Sequence, residues 1–189
     1  MSVTPRISYD ELPVDLRTQL RPRVERLGYL GEFFQVAAHQ PQALSHFIDW
    51  TEALKDAVDW RLVESIALTV AAETGNDYER VQHERLALKL GMCVAEVRAL
   101  VEGVATSARE LGFSDAELAA VRLARQVVHA HGRSCADAYE ALAELTDDAT
   151  AVGCLMTSAR YLAHSTMSNT WGVRAPVASP LAEEEPARA

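Results

Sequence analysis

Three neighbouring side chains in the middle of the sequence have the types and spacing that proton transfer requires. Glu79 and His83 are four residues apart, so on a helix they share one face and lie a turn from each other. A carboxylate in that position can hold one imidazole nitrogen and leave the other free to move protons. Tyr78 adds a phenol that could donate to a developing oxyanion, and a helix start there would offer free N–H groups to a substrate carboxylate. The pattern therefore predicts acid–base chemistry.

A second carboxylate upstream, Glu64, belongs to the same hypothesis. Its neighbours on a helical wheel are apolar, namely Trp60, Ala67, Leu68 and Ala71. We therefore expect Glu64 to be partly buried, and a buried carboxylate can give or take a proton near neutral pH. The alternative is a structural Glu64 that pairs with an arginine of another helix.

Structural interpretations of the other three residues also stay open. If Asn76 is the N-cap of the helix, Glu79 is its third residue, where a glutamate often caps backbone N–H groups. Independently of that cap, His83 could be a core histidine with satisfied hydrogen bonds, and Tyr78 could be a packing residue.

Arg160 and His164 form a second candidate pair, one turn apart near the end of the chain. Arg160 could bind a substrate carboxylate, and His164 could join the proton chemistry. From the residues alone we favour a surface or interface pair. The sequence contains no HExxH or comparable ligand set and no glycine-rich phosphate loop, so we predict no metal site and no cofactor.

The elements that must position these residues are helices. Of the 189 residues 49% are hydrophobic, while only 9 are glycine and 7 proline, which favours helix over strand. Hydrophobic spacing and capping residues predict an all-α fold, and no alternating strand pattern appears. The predicted helices cover 14–27 (with Pro22 as a possible break), 30–38, 41–58, 60–73, 77–90, 94–111, 115–132, 134–145 and 147–171.

The flanking segments differ in composition from this helical domain. We predict an N-terminal arm over residues 1–12, the domain over 13–174, and a disordered tail over 175–189, which is rich in Pro, Ala and Glu. The net charge of -9 argues against nucleic acid or an anionic membrane surface as a partner. Neither a signal peptide nor a membrane-spanning run is apparent, so we expect a cytoplasmic protein.

The order of these features resembles one family. A mostly apolar helix with Glu64, a turn at Gly75, and a helix that opens with Tyr78-Glu79 and carries His83 are similar to the carboxymuconolactone decarboxylase family. That family shares its fold with the alkylhydroperoxidase D (AhpD) proteins. The resemblance implies an AhpD-like bundle of about eight or nine helices that assembles into a homo-oligomer, most often a trimer or hexamer.

The resemblance extends over residues 5–174. Its other parts are an N-terminal arm with Arg6-Ile7 and 10–13, the helix start at 113–117, and the closing helix through 159–161 to 172–173.

The peroxidase-type relatives carry a CxxC pair at the helix start, where this sequence has Asn76 and Glu79. Without that pair no dithiol–disulfide cycle can run at this site, so the sequence is more similar to the decarboxylase-like branch. The three cysteines at 93, 135 and 154 match none of these positions, and we expect each to be a small core residue. Many members of the decarboxylase-like branch have Trp where this sequence has Arg80. The guanidinium of Arg80 could direct a positive charge toward an acidic substrate.

The leading hypothesis is a cofactor-independent decarboxylase or related lyase that acts on a small organic acid, lactone or enolisable carbonyl compound. In it His83 is the general acid or base, Glu79 orients His83, Glu64 is the second proton carrier, and Tyr78 polarises the carbonyl. Substrate-binding roles are expected for Asn76, Arg80, Arg160 and His164. One alternative is a peroxide-related protein without the redox cysteines, and another is a non-catalytic binding or scaffold protein.

Overall fold

In the computed structural model, nine α-helices and one 3-10 turn (Tyr9–Glu11) form the regular structure of the residues described, which are 4–103 and 110–182. The helices are α1 (Val14–Leu27), α2 (Glu32–Ala37), α3 (Pro41–Ala57), α4 (Trp60–Glu73), α5 (Asp77–Leu90), α6 (Val94–Glu102), α7 (Asp115–Ala130), α8 (Ala136–Leu145) and α9 (Asp148–Trp171). These two ranges contain no strand, and the all-helical prediction is confirmed.

Helix α4 lies at the centre of the bundle. Ten consecutive residues, 62–71, are buried, and α5, α6, α7 and α9 all pack against this helix. A helix that is apolar around most of its circumference is stable only when other helices surround it. Because Glu64 belongs to this stretch, its carboxylate lies inside the protein.

Helix α5 begins and ends at the residues that the sequence predicts. The Asn76 side chain accepts a hydrogen bond from the backbone N–H of Glu79 at 3.2 Å, so Asn76 is the N-cap. Gly91, with φ +118°, ends the helix in the left-handed conformation. This places Glu79 in the first turn and His83 one turn later, on the face predicted for them.

The structure differs from the predictions at Pro22 in α1 and at the end of α6, while the other helix ends agree with the predictions to within two residues. Pro22 does not split α1, which is continuous through it; both Pro22 and Thr18, whose carbonyl the proline leaves unpaired, are exposed to water. Helix α6 ends at Gly103, with φ +75°, and does not run to Leu111. A left-handed glycine stops a helix even where the apolar pattern continues. Residues 104–109 of that prediction lie outside the described residues.

The two flanking segments pack against the domain. In the arm, the backbone N–H of Ile7 donates to the Gln35 carbonyl at 3.1 Å, and Leu12 is buried. In the predicted tail, Leu181 is buried in an apolar cluster and the Ser179 hydroxyl donates to Glu84 at 2.6 Å. Leu181 and Ser179 thus anchor a segment whose average composition suggested disorder, while residues 183–189 lie outside the described part.

The cysteines occupy two kinds of environment. Cys135 and Cys154 belong to the core cluster around α4, as expected. Cys93 is exposed at the N-cap of α6, so the expectation of a core position was wrong for this residue. Among the described helices, none is both long enough and apolar enough to cross a bilayer.

Candidate active site

The centre of the candidate site is a contact between α4 and α5. Nδ1 of His83 lies 2.7 Å from Oε2 of Glu64, and the two residues are 7% and 2% exposed. The Tyr161 ring packs edge-on against the imidazole, with 5.0 Å between centroids. Because the Glu64 carboxylate holds Nδ1, the other ring nitrogen, Nε2, is the one left for chemistry.

Glu79 connects His83 with two residues of α9. One of its oxygens, Oε2, lies 3.7 Å from His83 Nε2 and 3.4 Å from an Arg160 guanidinium nitrogen. The other, Oε1, lies 3.5 Å from His164 Nε2. Since Arg160 and His164 are buried, our preference for a surface or interface pair was wrong. The one-turn spacing that suggested a surface pair instead brings both side chains to one interior carboxylate.

Both α9 residues are held from several sides. The Arg160 Nε–H donates to the Thr51 hydroxyl at 2.9 Å, and its guanidinium lies over the rings of Phe47 and Tyr161, 4.8 and 4.4 Å from their centroids. The ring of His164 stacks on Phe33 with 3.8 Å between centroids, and its Nδ1 lies 3.1 Å from the Ser168 hydroxyl. This packing fixes the geometry around Glu79.

The network separates the pKa values of its members. Burial alone would lower the pKa of His83, but the carboxylates of Glu64 and Glu79 raise it to about 9. Burial would raise the pKa of Glu79, but His164, His83 and Arg160 hold it well below its usual range. Burial lowers the pKa of His164 to about 3. At neutral pH the site therefore holds an imidazolium at His83, a carboxylate at Glu79 and a neutral imidazole at His164.

A cavity of about 540 Å³ opens onto this network. Its walls come mainly from α1, α3, α5 and α9. Besides the protonated His83, six of the lining side chains are cationic and one, Glu79, is acidic, although the whole protein has a net charge of -9. The cationic lining residues are Arg23, Arg26, Lys55, Arg85, Lys89 and Arg160.

Five of the eight predicted site residues line this cavity and three do not. The lining residues are Tyr78, Glu79, His83, Arg160 and His164. Glu64 lies behind His83, so it is the carboxylate placed to orient the imidazole, whereas Glu79 faces the cavity. This is the reverse of the arrangement expected for the two carboxylates.

The remaining two residues have other partners. The Asn76 amide donates to the Ser165 hydroxyl at 3.1 Å while its oxygen caps α5, so both ends are occupied. The Arg80 guanidinium binds Asp77 and Glu84 and does not line the cavity. Carboxylates three and four residues away on the same helix neutralise its positive charge. The expected contact between Arg80 and an acidic substrate is therefore not found.

Tyr78 lies at the cavity wall with its phenol against the loop between α1 and α2. A Cβ atom added to Gly31 would be only 2.3 Å from the phenol oxygen, so the close approach requires glycine. Burial is the main cause that raises the pKa of Tyr78 above its usual value, with the Glu79 charge adding to it. The phenol therefore stays protonated and can act as a hydrogen-bond donor.

Sequence inspection missed Gln82, Tyr29 and the cations contributed by α1 and α3. Gln82 could have been found, because it lies three residues after Glu79 and thus on the same helical face. Arg23 and Lys55 could not, since only the packing of α1 and α3 over α5 brings them to the site.

Among the described residues, no group of three or more His, Cys, Asp or Glu side chains is arranged to hold a metal ion.

The chain has the AhpD-like fold, as the sequence resemblance predicted. It superposes on the crystal structure of an alkylhydroperoxidase AhpD core, an uncharacterized peroxidase-related protein from Ralstonia eutropha JMP134, with a TM-score of 0.78 and 20% identity over 92% of both chains. The debrominase Bmp8 matches with a TM-score of 0.80 and 16% identity, over 98% of this chain and 99% of that one. A putative antioxidant defence protein AhpD from Agrobacterium tumefaciens matches at 0.64 and 14%, over 75% and 96%.

At these identities the likeness establishes the fold alone. No protein-family model matches the sequence, and no curated protein matches it.

Proposed function

We propose that the protein is a cofactor-independent enzyme of the lyase type, which decarboxylates a small organic acid, lactone or enolisable carbonyl compound by acid–base chemistry. The observation that carries the proposal is the buried chain Glu64–His83–Glu79 at the wall of a cavity with cationic lining. A protonated imidazole that faces such a cavity is a proton donor beside a site suited to anions.

A β-keto acid illustrates the reaction. Loss of CO2 breaks the bond between the carboxylate carbon and the α carbon, and the electron pair passes into an enolate. His83 then transfers its Nε2 proton to the α carbon and takes a new proton from water. Nε2 lies 3.7 Å from Glu79, too far for a hydrogen bond, so Glu79 stabilises the imidazolium without fixing its transferable proton.

The other residues have supporting roles in this proposal. Glu64 orients His83 and keeps it protonated. The neutral Tyr78 phenol is a donor for the enolate oxygen. Arg160 and the other lining cations attract the substrate carboxylate, which is favourable in a cavity with only one acidic side chain.

Names of the structural neighbours suggest peroxide chemistry as a competing function. Such chemistry through thiols requires a reactive cysteine, and none of the three cysteines lines the cavity. Burial raises the pKa of Cys154 to about 12, which suppresses its thiolate. A non-catalytic scaffold is disfavoured because Glu64 and His83 are bonded to each other beside a cavity and do not belong to separate clusters.

The test measures CO2 release from a panel of β-keto acids, including acetoacetate and 3-oxoglutarate, above the spontaneous rate. His83→Gln and Glu64→Gln should each lower kcat by about 100-fold or more, the size expected when a positioned acid is lost. Glu96→Gln is the matched control, because Glu96 is also buried but pairs with Arg61 outside the cavity. Turnover that survives both site changes overturns the assignment.

A peroxide consumption assay with a thiol reductant tests the competing function. Peroxide loss that disappears when Cys93, Cys135 or Cys154 is replaced by Ser would favour it over the lyase.

We also propose, from the family resemblance, that the chain forms a homo-oligomer. Four exposed apolar side chains near the start of α9 and the end of α8 provide surface for such contacts: Leu145, Val152, Leu155 and Met156. Multi-angle light scattering tests this; a monomer at micromolar concentration would contradict it.

A further inference from the structure

A hydrogen-bond donor without a partner among the described residues lies beside His83 in the sequence. The amide nitrogen of Gln82, Nε2, is buried and has no hydrogen-bond partner among the described residues. Five other buried polar atoms share this condition, but Gln82 is the one residue among those six that lines the cavity. A buried donor left unpaired is costly, so an unpaired donor on a residue of the cavity wall is a candidate for pairing with a ligand that enters the cavity.

The helix places Gln82 among the residues of the proposed chemistry. Glu79, Gln82, Leu86 and Lys89 follow one another at helical spacing, and all of them line the cavity. His83, adjacent in sequence, lies on the same side of α5. A ligand in contact with Glu79 and His83 is therefore also next to Gln82.

The orientation of the amide is set from outside α5. The Tyr29 hydroxyl donates to the amide oxygen of Gln82 at 3.1 Å, which leaves the nitrogen as the free end. Tyr29 belongs to the loop between α1 and α2, directly after Gly28, whose φ of +81° turns the chain out of α1. The loop thus presents Tyr29 to Gln82 and Gly31 to Tyr78 on the same wall.

The charges of the lining groups indicate which part of a ligand the Gln82 amide would bind. The cavity offers six cations for carboxylates, whereas Gln82 offers a neutral donor. A neutral amide donates well to a carbonyl oxygen and continues to do so when that oxygen gains negative charge. Amide recognition also discriminates strongly, because a ligand without the oxygen leaves the buried donor unpaired.

We propose that Gln82 Nε2, held in place by Tyr29, is the subsite for the carbonyl oxygen of a keto acid whose carboxylate is bound by the cavity cations. This rests on the proposed function and adds the substrate class: the organic acid carries a ketone. During decarboxylation the same donor stabilises the enolate oxygen as the electron pair from the broken bond reaches it. The Tyr78 phenol, four residues before Gln82 on α5, donates a second hydrogen bond to the same enolate oxygen in this proposal.

The experiment compares 2-oxoglutarate with glutarate, two stable dicarboxylates that differ by one carbonyl oxygen. Calorimetric titration of the wild type should give about tenfold tighter binding of 2-oxoglutarate, the effect of one hydrogen bond to a buried donor. Gln82→Met, which keeps the length of the side chain, should bind the two acids equally. Tyr29→Phe should lose part of the preference, although Gln82 itself remains.

Gln19→Met is the matched control, because Gln19 donates to Ser45 and Asp49 and does not line the cavity. It should keep the wild-type preference. Urea unfolding confirms that each variant is folded. A preference for the keto acid that survives in Gln82→Met overturns the subsite while the lyase proposal stands. If the wild type binds neither acid, both the subsite and the organic-acid substrate class are wrong. If CO2 release does not depend on Gln82, the subsite alone is wrong.

Discussion

His83 Nδ1 and Glu64 Oε2 are 2.7 Å apart, and this contact joins the cavity wall to the centre of the helix bundle. Glu64 lies on α4, the most buried helix, so the carboxylate cannot move without disturbing the core. The histidine is consequently held by a rigid element, and its second nitrogen points away from that element. Rigid support of this kind is what a proton-transfer group needs for reproducible geometry.

The first prediction concerns the pKa of His83, which the two carboxylates raise to about 9. In Glu64→Gln the nearest negative charge is lost while the shape is kept, so the pKa should fall by one unit or more, towards the usual value of about 6.5. Imidazole resonances followed by NMR against pH measure it directly. Glu96→Gln should leave the titration unchanged, and an unchanged His83 in Glu64→Gln would contradict the role assigned to Glu64.

The second prediction concerns stability in mild acid. Burial lowers the pKa of His164 to about 3. Below about pH 6.5 the His164 imidazole therefore binds a proton in the unfolded chain but not in the folded protein. The contribution of the neutral His164 to the free energy of unfolding is thus fully present above pH 6.5 and should be lost as the pH drops toward 3, by up to about 1.4 kcal/mol per pH unit. Urea unfolding between pH 6.5 and 4.5 measures the slope.

His164→Gln removes the titrating group at this position and should flatten that slope, whatever its effect on stability at pH 7. Equal slopes for the wild type and His164→Gln would show that His164 is not kept neutral by burial.

How much of the site the sequence could predict depends on whether a relation lies within one helix or between helices. The face shared by Glu79 and His83, and the cap at Asn76, follow from local spacing and were predicted. The meeting of Glu64 with His83, and of Arg160 and His164 with Glu79, depends on how α4 and α9 pack against α5. Spacing alone therefore suggested the wrong environment for Arg160, and the family resemblance had to supply the link between Glu64 and His83.

Arg80 is the opposite case, a relation within one helix that was not predicted. Its position next to Glu79 favoured a substrate contact, yet Asp77 and Glu84 on the same helix bind its guanidinium. Asp77 and Glu84 are three and four residues from Arg80, and opposite charges at this helical spacing predict such ion pairs from the sequence alone.

The third prediction concerns the cations at the cavity mouth. Arg85 and Lys89 are exposed, line the cavity and form no ion pair with a described residue. Arg85→Glu or Lys89→Glu should weaken binding of glutarate by about three- to tenfold, as expected for reversing one charge near an anion at high dielectric. The dependence of affinity on salt should also become weaker. Arg122→Glu, an exposed change of equal charge outside the cavity, should have no such effect.

The structural cost of both changes at the mouth should be small. Surface substitutions without partners alter the free energy of unfolding by about 0.5 kcal/mol or less. Glutarate affinity that is unaffected by either reversal would exclude these cations from ligand recognition.

The last prediction concerns the contact between Gly31 and Tyr78. Gly31 does not have a positive φ, so alanine is compatible with its backbone, but the new Cβ would lie 2.3 Å from the Tyr78 phenol oxygen. Gly31→Ala should therefore lower the free energy of unfolding by about 1–3 kcal/mol, the range for overpacking. In Tyr78→Phe that oxygen is gone, and the nearest remaining atoms, of Phe34 and of the ring itself, would be 3.4 and 3.5 Å away, which is ordinary contact. Gly31→Ala should then cost much less in the Tyr78→Phe background. Urea unfolding of the wild type, the two single variants and the double variant gives the coupling free energy between the two positions.

Gly153→Ala is the matched control, because its Cβ would meet Val58 at 2.5 Å and Tyr78→Phe cannot relieve that clash. Additive effects of Gly31→Ala and Tyr78→Phe would mean that the phenol is not held against Gly31, and would remove the reason for treating Tyr78 as a fixed donor.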